Sequence, residues 1–460
     1  MNVKTDMNRR FFIKTLGCKV NQYESQAIRE LLINAGFREC LAKETADLYI
    51  LNTCTVTHKA DSESRHWAGM FHKTNPKAKI ILTGCAVEKN AGAFSFLPGV
   101  SNIIKNDDKI NIADILTNHE SRLRPYGPIG PEGTADEKPH RFLSISDFKD
   151  HTKAFVKIQD GCAGACSYCK VPYVRGSSIS RPLHDIVEEV TTLVSKGFEE
   201  IVLTGICLGA WGGDLAQMAS IVDVLKALCG IPGTFRIRLS SIEPKYVTDE
   251  LIDYMSQNRK ICKHLHIPIQ SGDDEVLSRM NRPYTADYIR GLAAGIKRKI
   301  AGVGITTDVL IGFPGEADVN FRNTLNLIKE ILPVKTHIFP FSKRDGTAAS
   351  AMTDIVPEYE IKKRFQSMKI AAITVSYLYR EGFLKQLVDV LVESKREKHS
   401  GRLTGYSDNY IKVIFDGPDS IMGKIVSVRI EELNLSYTLG SYVELDKIPY
   451  KGLLKKSVFQ

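Results

Sequence analysis

The stretch Gly161–Gly176 reads GCAGACSYCKVPYVRG and sets Cys162, Cys166 and Cys169 in a C-x3-C-x2-C run. Thiolates are soft, charge-donating ligands suited to iron–sulfur chemistry. Three this close can hold three irons of a [4Fe–4S] cluster and leave the fourth iron open to a small molecule. Zinc is the competing reading. It takes four ligands, commonly as paired C-x2-C turns, and no fourth Cys or His follows locally. Three buried thiols gathered by chance are the remaining alternative.

Upstream, residues 11–116 alternate between strand and helix patterns. Phe11–Thr15, Asp47–Asn52, Ala78–Thr83 and Val100–Ile104 read as strands, and Asn21–Asn34 and Lys59–His72 as helices. That alternation implies a parallel sheet flanked by helices. Cys18 (in TLGC), Cys54 (in LNTC) and Cys85 (in LTGC) each follow a strand. The carboxyl ends of strands in an open parallel sheet share one edge, where ligands bind. Three thiolates converging there can hold a second cluster, although any one alone would read as a core thiol.

Residues 117–150, with Pro125, Pro128, Pro131 and Pro139, read as a linker. From 151 to 345 there are six strand-then-helix units. Strands are expected near Ala154–Ile158, Glu200–Leu203, Phe235–Leu239, His264–Ile267, Thr306–Ile311 and Thr336–Phe339. Helices are expected over Leu183–Ser195, Leu215–Leu228, Lys245–Ser256, Ala286–Lys299 and Asp318–Lys329. This suits an open six-unit relative of the β/α barrel, whose active residues gather at the carboxyl ends of strands. The cysteine loop follows the first strand. In the later loops, Gly205 stands where backbone must approach a ligand closely. Ser241, Glu243 and Gln270 are polar groups at the mouth that read equally well as turn or helix caps. Lys343 and Arg344 are candidates for RNA phosphate, a solvated loop being the plainer reading.

Residues 357–380 read as an outgoing helix. Beyond Phe383, the runs Gln386–Glu393, Tyr410–Ile414, Ile425–Ile430 and Tyr442–Glu444 suggest a small antiparallel barrel. The stretch SKREKHSGRLTGYS, with Lys395 and Arg396, is basic with an aromatic and suits RNA binding through charge and stacking. The expected division is therefore 1–116, a 117–150 linker, 151–380, 381–450 and a 451–460 tail.

The 460 residues are enough for about three domains of ~150 each. No run resembles a signal peptide or a membrane span, which predicts a cytoplasmic protein without a membrane partner. In that reducing compartment ten cysteines argue for metal or redox use rather than disulfides. Cys40, Cys207, Cys229 and Cys262 lack cluster spacing and read as core or incidental thiols. A formal net charge of +9 fits a polyanionic partner.

C-x3-C-x2-C with Tyr168 before its last Cys resembles the signature of the radical S-adenosylmethionine (SAM) enzymes. VPYVRG resembles the run that follows it in the methylthiotransferases, and Cys18, Cys54 and Cys85 are placed like that family's second cysteine set. TLGCKVNQYES (Thr15–Ser25) is similar to the opening of the branch acting on threonylcarbamoyladenosine in tRNA. The resemblance implies two [4Fe–4S] clusters and SAM as cofactors. SAM would bind the open iron held by Cys162, Cys166 and Cys169 and be cleaved to a 5′-deoxyadenosyl radical. Cys18, Cys54 and Cys85 would hold the cluster that carries sulfur. Tyr168, Gly205, Ser241, Glu243 and Gln270 would line the cofactor, and the last domain would be a TRAM-like RNA-binding barrel.

The implied reaction is methylthiolation of C2 of N6-threonylcarbamoyladenosine at tRNA position 37. Its partners would be the tRNA anticodon stem-loop and an electron donor such as flavodoxin or ferredoxin. Alternatives are the same chemistry on isopentenyladenosine or on a ribosomal-protein aspartate, and a non-catalytic iron–sulfur protein that binds RNA or transfers electrons. Ala163, Lys170, Cys207 and Trp211 depart from residues frequent in the family, and none of these changes removes a cluster ligand.

Overall fold

The computed structural model describes residues 9–41, 45–55, 58–88, 90–117 and 142–444. The proline-rich part of the expected linker and the 451–460 tail lie outside them.

The first unit contains β1 (Arg10–Thr15), α1 (Lys19–Asn34), β2 (Arg38–Glu39), β3 (Leu48–Thr53) and α2 (His58–Thr74). It continues with β4 (Lys79–Gly84), α3 (Cys85–Glu88), α4 (Gly92–Ser95), β5 (Val100–Ile104) and α5 (Ile112–Thr117). Its sheet has the order β2-β1-β3-β4-β5 and every pair is parallel. The middle strand β3 is buried at all six positions, because helices cover both faces. Ile13 and Ile50 pack with Ile28 and Leu32 on one face; Tyr49, Leu51 and Leu82 pack with Phe71 on the other.

The second unit supplies β6 (Ala154–Asp160), α6 (Val171–Arg175), β7 (Ile179–Ser180), α7 (Leu183–Ser195), β8 (Glu200–Gly205), α8 (Ile221–Cys229) and β9 (Arg236–Leu239). It then forms α9 (Asp249–Gln257), β10 (His264–His266), α10 (Asp274–Arg279), α11 (Ala286–Lys299), β11 (Gly304–Ile311), α12 (Asp318–Ile331) and β12 (Lys335–Pro340). Two parallel runs, β6-β8-β9 and β10-β11-β12, are joined by single bridges, Ile237 to Ile261 and Ser241 to His266. The six expected strands are thus present as an open barrel, with β7 antiparallel on β6. Residues 142–150 are packed chain, not free chain. Ile145 and Phe148 are buried in the barrel core, and the Leu143 carbonyl lies 2.5 Å from Tyr23 Oη of α1.

Two helices start later than the periodicity suggests, and in both cases the cap decides. Ser220 accepts from Val222 N–H while Asp223 accepts from Ser220 N–H, so α8 begins at Ile221 rather than Leu215. Thr248 accepts from Leu251 N–H and starts α9 at Asp249 rather than Lys245.

The long helix α13 (Glu358–Glu381) leads to the last unit, β13 (Leu387–Val392), β14 (Leu403–Ser407), β15 (Lys412–Asp416), β16 (Ile425–Leu433) and β17 (Thr438–Tyr442). These strands close a barrel in the order β13-β14-β15-β17-β16, antiparallel except at β15–β17. The basic stretch, placed between the expected runs, contains β14, and the last strand is Thr438–Tyr442, meeting the expected run Tyr442–Glu444 only at Tyr442. No described helix is long and apolar enough to cross a membrane.

Buried arginines dock this barrel on the larger one. Arg236 donates to the Asp389 and Tyr406 carbonyls, each at 2.8 Å, and Arg238 to the Asp408 and Ser407 carbonyls at 2.9 and 3.0 Å. Glu200 is the counter-ion of both. Burial alone would raise its pKa, but Arg238 and Arg236 more than offset that and hold it well below the usual carboxylate range. A depressed folded-state pKa gives stability that is complete above the unfolded value, about 4.3, and is lost as pH falls through the folded one. Glu200→Gln is therefore expected to lower the melting temperature at neutral pH and to flatten its fall on acidification. Superimposable pH profiles of melting temperature for wild type and variant would contradict this.

Candidate active site

The cysteine loop begins where β6 ends. Gly161 turns there at φ +70°, and a Cβ would stand 1.8 Å from the Ser177 carbonyl oxygen, so only glycine fits. Cys162 N–H donates to the Gly176 carbonyl at 3.0 Å and closes the loop. The turn after α10 holds its far side: Ser167 Oγ donates to Arg279 O at 2.8 Å and Asn281 Nδ2 to Ala165 O at 2.7 Å. The three sulfurs accept from separate donors, Gly164 N–H on Cys162 (3.3 Å), Arg282 Nη1 on Cys166 (3.1 Å) and Val171 N–H on Cys169 (3.4 Å). Donors aimed at sulfur stabilise negative charge on a thiolate-bound cluster.

Cys207, read above as incidental, is not. It is buried beside Cys162, and its thiol, against the effect of burial, holds the Cys162 pKa below the ordinary thiol value. Burial pushes Cys169 up to about 12, so the free thiol keeps its proton at neutral pH and ligation would have to displace it.

Cys18, Cys54 and Cys85 follow β1, β3 and β4 at one edge of the first sheet, as the strand pattern predicts. Gly17 turns at φ +94°, and a Cβ there would strike the Cys54 side chain at 2.7 Å. The described cysteines are all unbridged. Neither triad gathers its sulfurs as closely as ligands of one ion would be; only His266, Asp308 and His337 do so among the described residues.

A buried ion network joins the two triads. Arg175, from the end of α6, donates through Nε to Cys85 Sγ at 3.2 Å, through Nη1 to Glu24 at 2.5 Å and through Nη2 to Asn21 at 2.7 Å. Glu24, on α1, also accepts from Lys109 at 2.5 Å and Lys157 at 2.8 Å, and Asp160 pairs with Lys157 and Arg175. Three cations thus face two carboxylates in the interior, leaving one positive charge in excess beside Cys85. A cluster held there by Cys18, Cys54 and Cys85 would supply the missing negative charge, which is what a buried charge requires. Arg344 adds to this. It is buried, donates through Nη2 to Thr55 and Asp61 next to Cys54, and its Nε and Nη1 have no partner among the described residues. The donor sets therefore fit iron–sulfur clusters at both triads.

The remaining expected residues stand as follows. Tyr168 is half-buried against Phe313. Gly205 leaves room for Gln159, which donates to the Asp160 and Gly161 carbonyls and so shapes the thiolate loop. Glu243 is ion-paired with Arg282, the donor on Cys166. Ser241 is exposed at its bridge to His266, and Gln270 sits at φ +65°, next to Asp308. Trp211 is buried, donating to Arg181 O at 2.9 Å. Ala163 is exposed and Lys170 half-buried.

One RNA-phosphate candidate is corrected. Arg344 is spent on the clamp to the first domain and is not open to phosphate. Arg396 is exposed but tied to Asp419 and to the Gly401 and Gly417 carbonyls, while Lys343 and Lys395 remain exposed. A basic cavity lies elsewhere. A cavity of about 750 Å³ between β12, α13 and the small barrel is lined by Lys335, Arg402, Lys412, Tyr406, Tyr410 and Tyr437.

Family profiles match in the same three-part order: the uncharacterized protein family UPF0004 over residues 10–104, the radical SAM superfamily over 156–328 and the TRAM domain over 384–443. The chain is 35% identical to a threonylcarbamoyladenosine tRNA methylthiotransferase of Bacillus subtilis, covering 94% of this chain and 96% of that one. To its namesake in Thermotoga maritima it is 36% identical, covering 96% and 99%. It belongs to the radical SAM tRNA methylthiotransferases. A tRNA-2-methylthio-N(6)-dimethylallyladenosine synthase of Acetivibrio thermocellus is 33% identical, covering 96% and 92%. Among solved structures, the radical SAM methyltransferase TsrM of Kitasatospora setae shares the fold, with a TM-score of 0.54 at 14% identity, over 75% of this chain and 77% of that one. The cofactors of this methylthiotransferase are two [4Fe–4S] clusters and SAM.

Proposed function

We propose that this methylthiotransferase modifies C2 of N6-threonylcarbamoyladenosine at position 37 of tRNA. The observation that carries the reading is the pair of thiolate triads on either side of Arg175, in a chain that aligns end to end with relatives named for that nucleoside. In this reading Cys162, Cys166 and Cys169 hold the cluster that binds SAM, and Cys18, Cys54 and Cys85 hold the one that carries sulfur. Bound there, the clusters and SAM supply the radical, the sulfur and the methyl group for forming a carbon–sulfur bond at an unreactive aromatic carbon.

The chain's own residues do the positioning. Gln159 and the turn at Asn281 fix the thiolate loop. Arg282 donates to Cys166 and is itself held by Glu243. Arg175 and Glu24 lock the first domain's triad against the barrel, so its distance from the SAM site is set by a buried network rather than by a loop. In this reading Tyr168, Gly205, Ser241, Glu243 and Gln270 would line SAM above the thiolate loop. The basic, tyrosine-lined cavity beside the small barrel offers the anticodon stem-loop cations and stacking faces. A donor of the flavodoxin or ferredoxin kind supplies electrons in the cytoplasm.

Arg282→Gln is expected to lower SAM cleavage about 10–100-fold, the usual cost of losing a partner of a metal ligand. An unchanged rate of 5′-deoxyadenosine release would remove Arg282 from this role. The function itself is tested by nucleoside mass spectrometry on tRNA from a host lacking its own enzyme, with and without this gene. The expected change is 2-methylthiolation of threonylcarbamoyladenosine. Modification of the dimethylallyl nucleoside instead would keep the chemistry and overturn the substrate.

A further inference from the structure

Three neighbouring strands of the open barrel bring together a polar group that neither triad uses. His266 ends β10, Asp308 lies in β11 and His337 in β12, and their ligand-capable atoms all fall within 4.8 Å of one another. The pairing register explains the convergence: His266 stands beside Thr306, and Asp308 beside His337. His266 Nδ1 is 2.8 Å from Thr306 Oγ1, and its Nε2 is 3.2 Å from Asp308 Oδ2. The same threonine hydroxyl is 2.9 Å from His264 Nε2.

A carboxylate oxygen accepts, so the His266–Asp308 contact is an N–H donated from Nε2. The Thr306 hydroxyl lies between His266 Nδ1 and His264 Nε2, and the buried His264 Nδ1 has no hydrogen-bond partner among the described residues. Both nitrogens of His266 are occupied. Those of His337 have no hydrogen-bond partner among the described residues, and its ring lies 5.7 Å from that of His266. Asp308 Oδ1 likewise has no hydrogen-bond partner among the described residues. The group therefore offers a free imidazole donor and a free carboxylate acceptor side by side.

Position and charge say what it would hold. Leu310, the next residue after Asp308 on this strand face, packs in one cluster with Tyr168 of the SAM-site loop. Lys19, adjacent to Cys18, interacts electrostatically with Asp308 and His337. The group thus shares strand β11 with a residue packed beside the Tyr168 loop and interacts with the lysine next to Cys18. Lys335 is two residues from His337 on the same strand face and lines the basic cavity, and Tyr410 of that cavity stacks on His264 at 4.3 Å. Cations flanking the group disfavour a metal ion there and favour an anion.

Resting on the reading that the substrate is a modified tRNA adenosine, we infer that His337, Asp308 and His266 form the subsite that recognises the carboxylate-bearing N6 substituent. His337 donates to the carboxylate, and Asp308, oriented by His266, accepts from the hydroxyl or N–H beside it. A threonylcarbamoyl group carries all of these and a dimethylallyl group carries none. An apolar substituent would leave Asp308 and His337 desolvated without partners, which is how such a site rejects the wrong substrate.

The test uses the reconstituted full-length protein and synthetic anticodon stem-loops bearing threonylcarbamoyladenosine, its methyl ester or dimethylallyladenosine. One hydrogen bond to a charged group corresponds to about 10–100-fold, so wild type is expected to lose that much kcat/KM on the ester. His337→Leu should bring the acid-to-ester ratio close to one, while His337→Gln, which keeps a donor, should retain most of it. A ratio is insensitive to any general loss of activity in the variants. If wild type discriminates and His337→Leu discriminates equally, the subsite is wrong and the substrate reading stands. If wild type prefers the dimethylallyl nucleoside, the substrate reading fails and takes this inference with it.

Discussion

Cys166→Ala is expected to abolish SAM cleavage, whereas Cys54→Ala should still cleave SAM but yield no methylthiolated nucleoside. The asymmetry follows from where the two thiols sit. Cys166 lies in the tight loop after β6, where losing one of three ligands leaves a cluster with two protein bonds. Partners one bond further out already cost about 10–100-fold, so a direct ligand should cost more than about 100-fold. Cys54 follows β3 in the first domain, beside Gly17 and Thr55, and belongs to a different fold unit from the Cys162–Cys169 loop. The readouts are 5′-deoxyadenosine and product nucleoside, both by mass spectrometry, with iron content measured alongside. Equal SAM cleavage by Cys166→Ala and wild type would defeat the first assignment. Full product from Cys54→Ala would defeat the second.

Glu24→Ala should be the most damaging change away from the cysteines. Glu24 is 1% exposed and is the one carboxylate that touches Lys109, Lys157 and Arg175 together. Burial would raise its pKa, yet Arg175, Lys109 and Lys157 outweigh that and hold it well below the usual range. Removing one partner of a buried ion pair costs about 3–5 kcal/mol, because the remaining charges cannot be hydrated. Here the loss falls on the joint between the first domain and the barrel. The expected signs are a lower first melting transition, faster proteolysis near the joint and poorer retention of the cluster at Cys85. Glu24→Gln, which keeps the shape and some hydrogen bonds, should fall between. Coincident melting of Glu24→Ala and wild type would show that the network does not hold the domains together.

The two kinds of cysteine were legible for different reasons. Cys162, Cys166 and Cys169 are neighbours in the chain, so their spacing alone carries the chemistry. Cys18, Cys54 and Cys85 are far apart, but each follows an apolar strand, and parallel topology brings such positions to one edge. The ion network had no such signal. Glu24 on a helix and Arg175 after a thiolate loop look like surface charges until the domains are docked, and Lys109 comes from yet another segment. Arg344 misled for the same reason: a basic loop residue suggests solvent or phosphate, and only docking shows Thr55 and Asp61 waiting for it. The late start of α8 was readable, since Ser220 and Asp223 have capping-box spacing that the apolar periodicity obscured. His266, Asp308 and His337 become one group only through strand register, which a single sequence does not fix.

The most direct measurement supplies the reduced, two-cluster protein with SAM labelled in its methyl group and a stem-loop bearing threonylcarbamoyladenosine. The account predicts a 2-methylthio nucleoside that carries the label, formed together with 5′-deoxyadenosine. Release of 5′-deoxyadenosine with both clusters in place and no label on the nucleoside would contradict it.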